Sequence, residues 1–195
     1  MYYERMYALK TTEISVQVGR EISEIQANIS EESIECLVEK ICQAKKIFVS
    51  GAGRSLLMLR GFAMRLMHIG FDVYVVGDTI TPAYTEEDLL ILGSASGETS
   101  SLINQAKKAK KIGGIIALVS IFEDSSIAEY ADLVVKVPAY TDKLPESEEN
   151  KKNILPGGSM FEICMLVLFD SLIIPLGEKQ GVSTNKYFDR HANLE

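Results

Sequence analysis

Cysteine, histidine and long apolar runs are all in short supply in this chain of 195 residues. The three cysteines, Cys36, Cys42 and Cys164, are an odd number and share no CxxC spacing. That argues against a disulfide framework and against a paired-cysteine metal site. It fits reduced thiols half-buried on helices. The two histidines, His68 and His191, stand in no His/Cys/carboxylate cluster, so no metal is expected. No apolar run reaches the roughly 18 residues that a membrane span needs. The nearest approach, residues 163–176, carries Asp170. The start, Met1-Tyr2-Tyr3-Glu4-Arg5, has no hydrophobic signal region, so a cytoplasmic protein with no membrane partner is expected. Positive charge is not in excess either. A net charge of −7 and a pI of about 5.0 argue against a general nucleic-acid binder.

What is present is an ordinary globular composition, 47% hydrophobic and 24% charged, which excludes wholesale disorder. The length suits one domain, or one domain with a helical extension, and can bury a core without staples. Residues 1–45 read as helical, with Ile14, Val18, Ile22 and Ile25 at helical spacing. Ser30 reads as an N-cap, with Glu31 and Glu32 set against the helix dipole. Ile34, Leu37, Val38 and Ile41 then line one face of a second helix.

Five short apolar runs follow, near residues 47–49, 73–76, 89–92, 115–119 and 133–137. They are continuously apolar rather than alternating, as parallel strands buried on both faces are. Helical stretches separate them, including one over 56–68, one ending at Gly113-Gly114 and a short one over 125–130. The predicted fold is α/β, a doubly wound three-layer α/β/α arrangement around a five-stranded parallel sheet, with an N-terminal helical arm. One domain is expected over 1–195. Its parts are N-terminal helices over 1–45, a sheet core over 46–137, a polar loop over 138–158, and an apolar helix with a tail over 159–195. The loop holds Pro138, Pro145, Pro156, Gly157 and Gly158 and is expected to be mobile or folded over a site.

In such a sheet, ligands bind at the carboxyl ends of the strands. Two strand ends carry loops suited to an anion. Ser50-Gly51-Ala52-Gly53-Arg54-Ser55 combines glycines, free helical N–H groups and a fixed charge on Arg54. It contains GxG but has Leu56 where a dinucleotide fingerprint has its third glycine. Ser94-Ala95-Ser96-Gly97-Glu98-Thr99-Ser100-Ser101 crowds five hydroxyls around one glycine at a strand-to-helix turn. That suits a phosphate monoester, and the alternative is a helix cap with spare serines.

Together, the Gly-x-Gly-Arg-Ser loop after the first strand and the Ser-x-Ser-Gly-x-Thr loop after the third resemble the sugar isomerase (SIS) phosphosugar-binding family. Further stretches resemble its 6-phospho-3-hexuloisomerase branch. They include Phe62-Ala63-Met64-Arg65-Leu66-Met67-His68-Ile69-Gly70, Val76-Gly77-Asp78-Thr79 and the terminal Arg190-His191-Ala192-Asn193-Leu194. The likeness runs from about residue 35 to the end. It implies a cofactor-free isomerase that interconverts D-arabino-hex-3-ulose 6-phosphate and fructose 6-phosphate through an enediol, in the ribulose monophosphate pathway.

By the same resemblance, Ser94, Ser96 and Thr99, with the backbone of Gly97 and Glu98, would hold the phosphate. Ser50, Gly51, Gly53, Arg54 and Ser55 would face the sugar. Glu162 would be the enolising base. Its alternative is the Glu of a capping box, Ser159-Met160-Phe161-Glu162. His191 would shuffle protons in a neighbouring subunit's site, against the alternative of a solvated tail. That implies a homo-oligomer, a tetramer of paired dimers, with shared sites. His68 ends a helix, where histidine suits the negative end of the dipole. Ala95 stands where the family often has glycine, and Leu56-Leu57 where smaller or more polar residues occur, which bears on substrate choice. Two other readings stay open: another SIS isomerase such as an arabinose 5-phosphate isomerase, and a phosphosugar sensor without catalysis.

Overall fold

The computed structural model describes residues 10–187 and 189–194. The first nine residues of the predicted helical arm lie outside them. Helix α1 spans Thr11–Gln26 and α2 spans Glu31–Gln43. As predicted, Ser30 caps α2, its side chain accepting from the Ser33 N–H at 3.3 Å. The five apolar runs become strands: β1 Ile47–Gly51, β2 Val73–Val75, β3 Leu89–Gly93, β4 Ile115–Ser120 and β5 Leu133–Lys136. Helix α3, Arg54–His68, follows β1, and α4, Ser100–Ile112, follows β3. Helix α5, Ser159–Lys179, follows the long loop. The short helix predicted near residues 125–130 is a 3₁₀ turn over Ala128–Tyr130.

All strand pairs are parallel, in the order β2-β1-β3-β4-β5. The order reverses between β1 and β3, and a parallel sheet opens a crevice at such a point, beyond the strand ends. Register places Gly51 beside Gly93 there. Neither position has room for a side chain. A Cβ at Gly93 would lie 2.8 Å from Leu59 Cδ1 and 3.0 Å from Met165 Sδ, and one at Gly51 would lie 3.0 Å from the Leu56 nitrogen. The glycine pair therefore lets α3 and α5 settle directly onto the mouth of the crevice.

The two faces of the sheet are covered unequally. Ile47, Val49, Leu89, Ile91 and Val119 pack under α1, α2, α3 and α5. Phe48, Leu90, Leu92, Ile116 and Leu118 pack against α4, the 3₁₀ turn and Tyr84 of the β2–β3 segment, whose ring meets that of Phe48 edge-on at 5.2 Å. The asymmetry arises because the β2–β3 crossover has no helix. It runs as an irregular segment, pinned by Arg60 to Asp78 at 2.5 Å and by the Thr81 hydroxyl to the Val75 carbonyl at 2.7 Å. By length and composition alone α5 could cross a membrane. Here it is the core helix, with Phe169 stacked on Phe62 of α3 at 4.3 Å between ring centres.

Asp88 anchors the base of the sheet. Its carboxylate is buried and accepts from the Lys46 N–H at 3.1 Å, the Lys46 ammonium at 3.0 Å, and the Thr85 N–H and hydroxyl at 2.7 and 2.8 Å. Burial pushes its pKa up, but the bonds from Lys46 and Thr85 outweigh that and hold it below the ordinary carboxylate value. A depressed folded pKa gives stability that is complete above the unfolded value, about 3.9, and is lost as pH falls through the folded one. Asp88→Asn is expected to cost about 3 kcal/mol at neutral pH by leaving the Lys46 charge without its partner. Denaturant unfolding at neutral and acid pH checks this, because the gap between the two proteins should shrink in acid.

Candidate active site

The crevice between the β1 and β3 ends holds a cleft of about 250 Å³. Its walls come from four places in the chain. Ala52, Gly53, Arg54 and Ser55 start α3. Gly93, Ser94, Ala95 and Thr99 form the turn into α4. Thr141, Asp142 and Lys143 come from the long loop, and Gly158 and Glu162 from the start of α5.

The turn after β3 is shaped to keep its donors open. Gly97 has φ +68°, and a side chain there would run into the Ser125 hydroxyl, so only glycine closes the turn. The Gly97 N–H donates to Ser94 Oγ at 3.2 Å. Thr99 is the N-cap of α4 but makes no side-chain capping bond. Its hydroxyl instead lies 3.4 Å from that of Ser94. The plain capping alternative therefore does not account for these hydroxyls. They face the cleft beside the N-terminal end of a 13-residue helix, an arrangement that attracts an oxyanion.

Glu162 also lacks the role its sequence context allowed. The N-cap of α5 is Gly158, with no side-chain cap bond, so Ser159 lies inside the helix and the capping box does not form. The Glu162 carboxylate, largely recessed in the wall, instead receives the Arg54 Nε–H across the cleft. Two residues 108 positions apart in sequence are thus brought into direct contact.

Gly53, Arg54, Ser55, Ser94, Thr99 and Glu162 share this cleft; the other predicted site residues do not line it. Ser50 and Gly51 belong to β1, where they pair with Leu92 and Gly93, and Ser50 is buried. Ser96 is buried and accepts from the Glu98 N–H at 3.3 Å. Glu98 turns away to bind the Ser126 N–H and hydroxyl at 2.8 and 2.6 Å. Ser96, Gly97 and Glu98 thus build the turn whose inner surface is Ser94 and Thr99.

His191 lies elsewhere. The Tyr187 hydroxyl donates to the Ile173 carbonyl at 3.3 Å, and the Arg190 side chain lies over Gly70. The His191 ring sits 5.3 Å from that of His68, at the far end of α3 from Arg54. Fifteen helical residues separate the two ends by about 20 Å. His68 is buried, and burial, His191 and Arg65 all push its pKa below the ordinary histidine value. That favours the neutral ring and works against a charge–dipole role.

Thr141, Asp142, Lys143 and Gly158 also line the cleft, although the sequence does not single them out as site residues. The proline- and glycine-rich composition marked a loop able to fold over a site, but loops have no periodicity to say which of their side chains point inward.

The sequence pattern of the SIS domain matches residues 40–147. The chain is 44% identical over 187 residues to the 3-hexulose-6-phosphate isomerase of Bacillus subtilis (strain 168), covering 96% of this chain and 100% of the relative. It is 39% identical over 178 residues to the 3-hexulose-6-phosphate isomerase of Mycobacterium gastri, covering 91% and 88%. Among solved structures, a Methanococcus jannaschii protein with an inferred molecular function of 3-hexulose-6-phosphate isomerase superposes with a TM-score of 0.78. That pair is 36% identical, with 94% and 99% of the two chains covered.

Inorganic phosphate should raise the melting temperature of the protein through the Ser94–Thr99 turn. The double substitution Ser94→Ala, Thr99→Val is expected to weaken phosphate binding about tenfold. Thermal shift titrations of both proteins check this.

Proposed function

The chain belongs to the SIS domain family, and from that membership and the cleft we propose that it interconverts D-arabino-hex-3-ulose 6-phosphate and fructose 6-phosphate. The observation that carries this reading is the 44% identity to a 3-hexulose-6-phosphate isomerase over nearly the whole chain. The chemistry required is modest. A base removes the proton from C2 of the 3-ketose, and the C–H electron pair forms an enediolate across C2 and C3. A proton returned to C3, with hydroxyl proton exchange between the two oxygens, leaves the carbonyl at C2. In this reading Glu162 carries the carbon-bound proton, which its position in the cleft wall supports. Arg54, beside it, is the cation that compensates charge developing on the enediolate oxygens. Ser94, Thr99 and the open end of α4 take the phosphate and fix the distance from it to the reacting carbons.

His191 lies at the far end of α3 from its own cleft, which supports the reading that it acts in the site of a neighbouring copy. Leu57, Met64 and Met67 on α3 and Val167 and Ile174 on α5 remain exposed on the outer side of the paired helices. Apolar groups left outward on adjacent helices support subunit packing, and a homotetramer of paired dimers is the proposed assembly. The unpaired thiols of Cys36, Cys42 and Cys164 support a reducing, cytoplasmic setting.

A coupled assay tests the activity. Hexulose 6-phosphate is formed in place from ribulose 5-phosphate and formaldehyde, and fructose 6-phosphate is read through oxidation of glucose 6-phosphate. Turnover on the order of 1–10³ per second is expected. No turnover, with fructose 6-phosphate still stabilising the fold, would reject this reaction and keep the phosphosugar site.

Glu162→Gln should lower kcat about 10³-fold with the fold intact, as loss of a proton-transfer group does. His191→Ala should lower kcat as well. Mixing the two variants should restore part of the activity, because a mixed assembly contains sites with both groups. Failure of the mixture to recover would reject the shared site.

A further inference from the structure

The loop over residues 138–158 has no regular secondary structure, yet one of its side chains is completely buried. Asn150 is 0% exposed, and its amide is devoted to the backbone of the same loop. Its Oδ1 accepts from the Thr141 N–H at 2.9 Å. Its Nδ2 donates to the carbonyls of Thr141, Leu144 and Pro145 at 2.8, 3.1 and 3.0 Å. The Asn150 N–H donates to Ser147 Oγ at 3.2 Å. A buried amide with every polar atom committed to one stretch of chain holds that stretch in a single shape. The Glu21 carboxylate of α1 ties down the loop's far end by accepting from the Ile154 N–H at 3.0 Å.

The residues this clamp presents at the cleft are Thr141, Asp142 and Lys143. The lining cations are Arg54 and Lys143, and the lining anions are Glu162 and Asp142. Arg54 is taken by Glu162. The Asp142 carboxylate lies toward Gly157, 3.8 Å from where a Cβ on that residue would stand, next to the N-cap of α5. The positive end of a 21-residue helix compensates it there. Among the described residues the Lys143 ammonium has no carboxylate partner and no hydrogen bond. A phosphate monoester brings a charge of roughly −1.5 to −2. The Ser94 and Thr99 hydroxyls offer it hydrogen bonds but no net positive charge.

We propose that Lys143 is a substrate-binding cation for the phosphate of the phosphosugar, and that Asn150 is the positioning residue that holds it at the cleft. This rests on the isomerase reading above. The clamp uses only the loop's own atoms, so no substrate contact is needed to shape the segment that carries the ammonium, and little ordering cost falls on binding.

Kinetics of hexulose 6-phosphate isomerisation and thermal shift titration with inorganic phosphate test the proposal together. Lys143→Met should raise KM about 10- to 100-fold, as expected for a charge-assisted bond, far more than it lowers kcat. It should weaken inorganic phosphate by a similar factor, and Lys143→Arg should restore most of both. Asn150→Asp keeps the volume and the acceptor but loses the donors. It should raise KM in the wild-type background and add little in the Lys143→Met background.

An unchanged KM and phosphate affinity in Lys143→Met would overturn the proposal. So would a loss confined to kcat, which would place Lys143 at the reacting carbons. An equal effect of Asn150→Asp in both backgrounds would overturn the positioning role. A wild-type protein that binds inorganic phosphate through Lys143 yet never turns over the hexulose phosphate would uphold the cation and reject the isomerase reading instead.

Discussion

The cleft depends on the close approach that Gly51 and Gly93 permit. Side by side at the ends of β1 and β3, they leave no side chain between the sheet and the two helices above it. Leu59 of α3 and Met165 of α5 occupy that space. Packed interiors transmit a change of one methyl group. A methyl at Gly93 would push Leu59 and Met165 apart, and with them the starts of α3 and α5. Arg54 and Glu162 sit on those starts, so their contact follows from the absence of two side chains beneath it.

Each strand end then supplies a different chemical resource. The β1 end feeds α3 and contributes a guanidinium. The β3 end feeds α4 and contributes hydroxyls and open N–H groups. The Pro- and Gly-rich loop closes the side of the cleft, and α5 brings the carboxylate. A parallel sheet with helical crossovers is well suited to this, because all its strand ends that lead into helices point to one rim. The rim collects residues from positions 52 to 162. The base of the sheet has the opposite character. There Asp88 is fully bonded to Lys46 and Thr85 and serves only to hold strands.

Most of the fold could be read from the residues. Continuous apolar runs between helical stretches marked buried parallel strands, and the Ser30 cap placed the start of α2. The missing crossover helix between β2 and β3 was less visible, because a stretch with Gly77, Pro82 and the threonines at 79, 81 and 85 is compatible with several irregular paths. The two loops of the site were also legible, since glycines, serines and an arginine after apolar runs have few other uses. The individual roles were not. Ser94 and Ser96 look equivalent in the sequence, yet one faces the cleft and the other is turned into the loop's own backbone. Glu98 and Glu162 are both carboxylates beside glycine-containing turns, yet one ties down residue 126 and the other meets Arg54.

By itself, the sequence determined the order of elements, the apolar faces and the two anion-suited turns, because these depend on local spacing, glycine and capping chemistry. Tertiary structure alone decided which side chains converge. Arg54 with Glu162 is a contact between distant segments, and local spacing carries no information about contacts across the sheet. The clamp of Asn150 on residues 141–145 was equally hidden, since an asparagine in a polar loop reads as solvated until its burial is seen. The remoteness of His191 from its own cleft is set by the length of α3 and the path of the tail, which only the packed chain reveals.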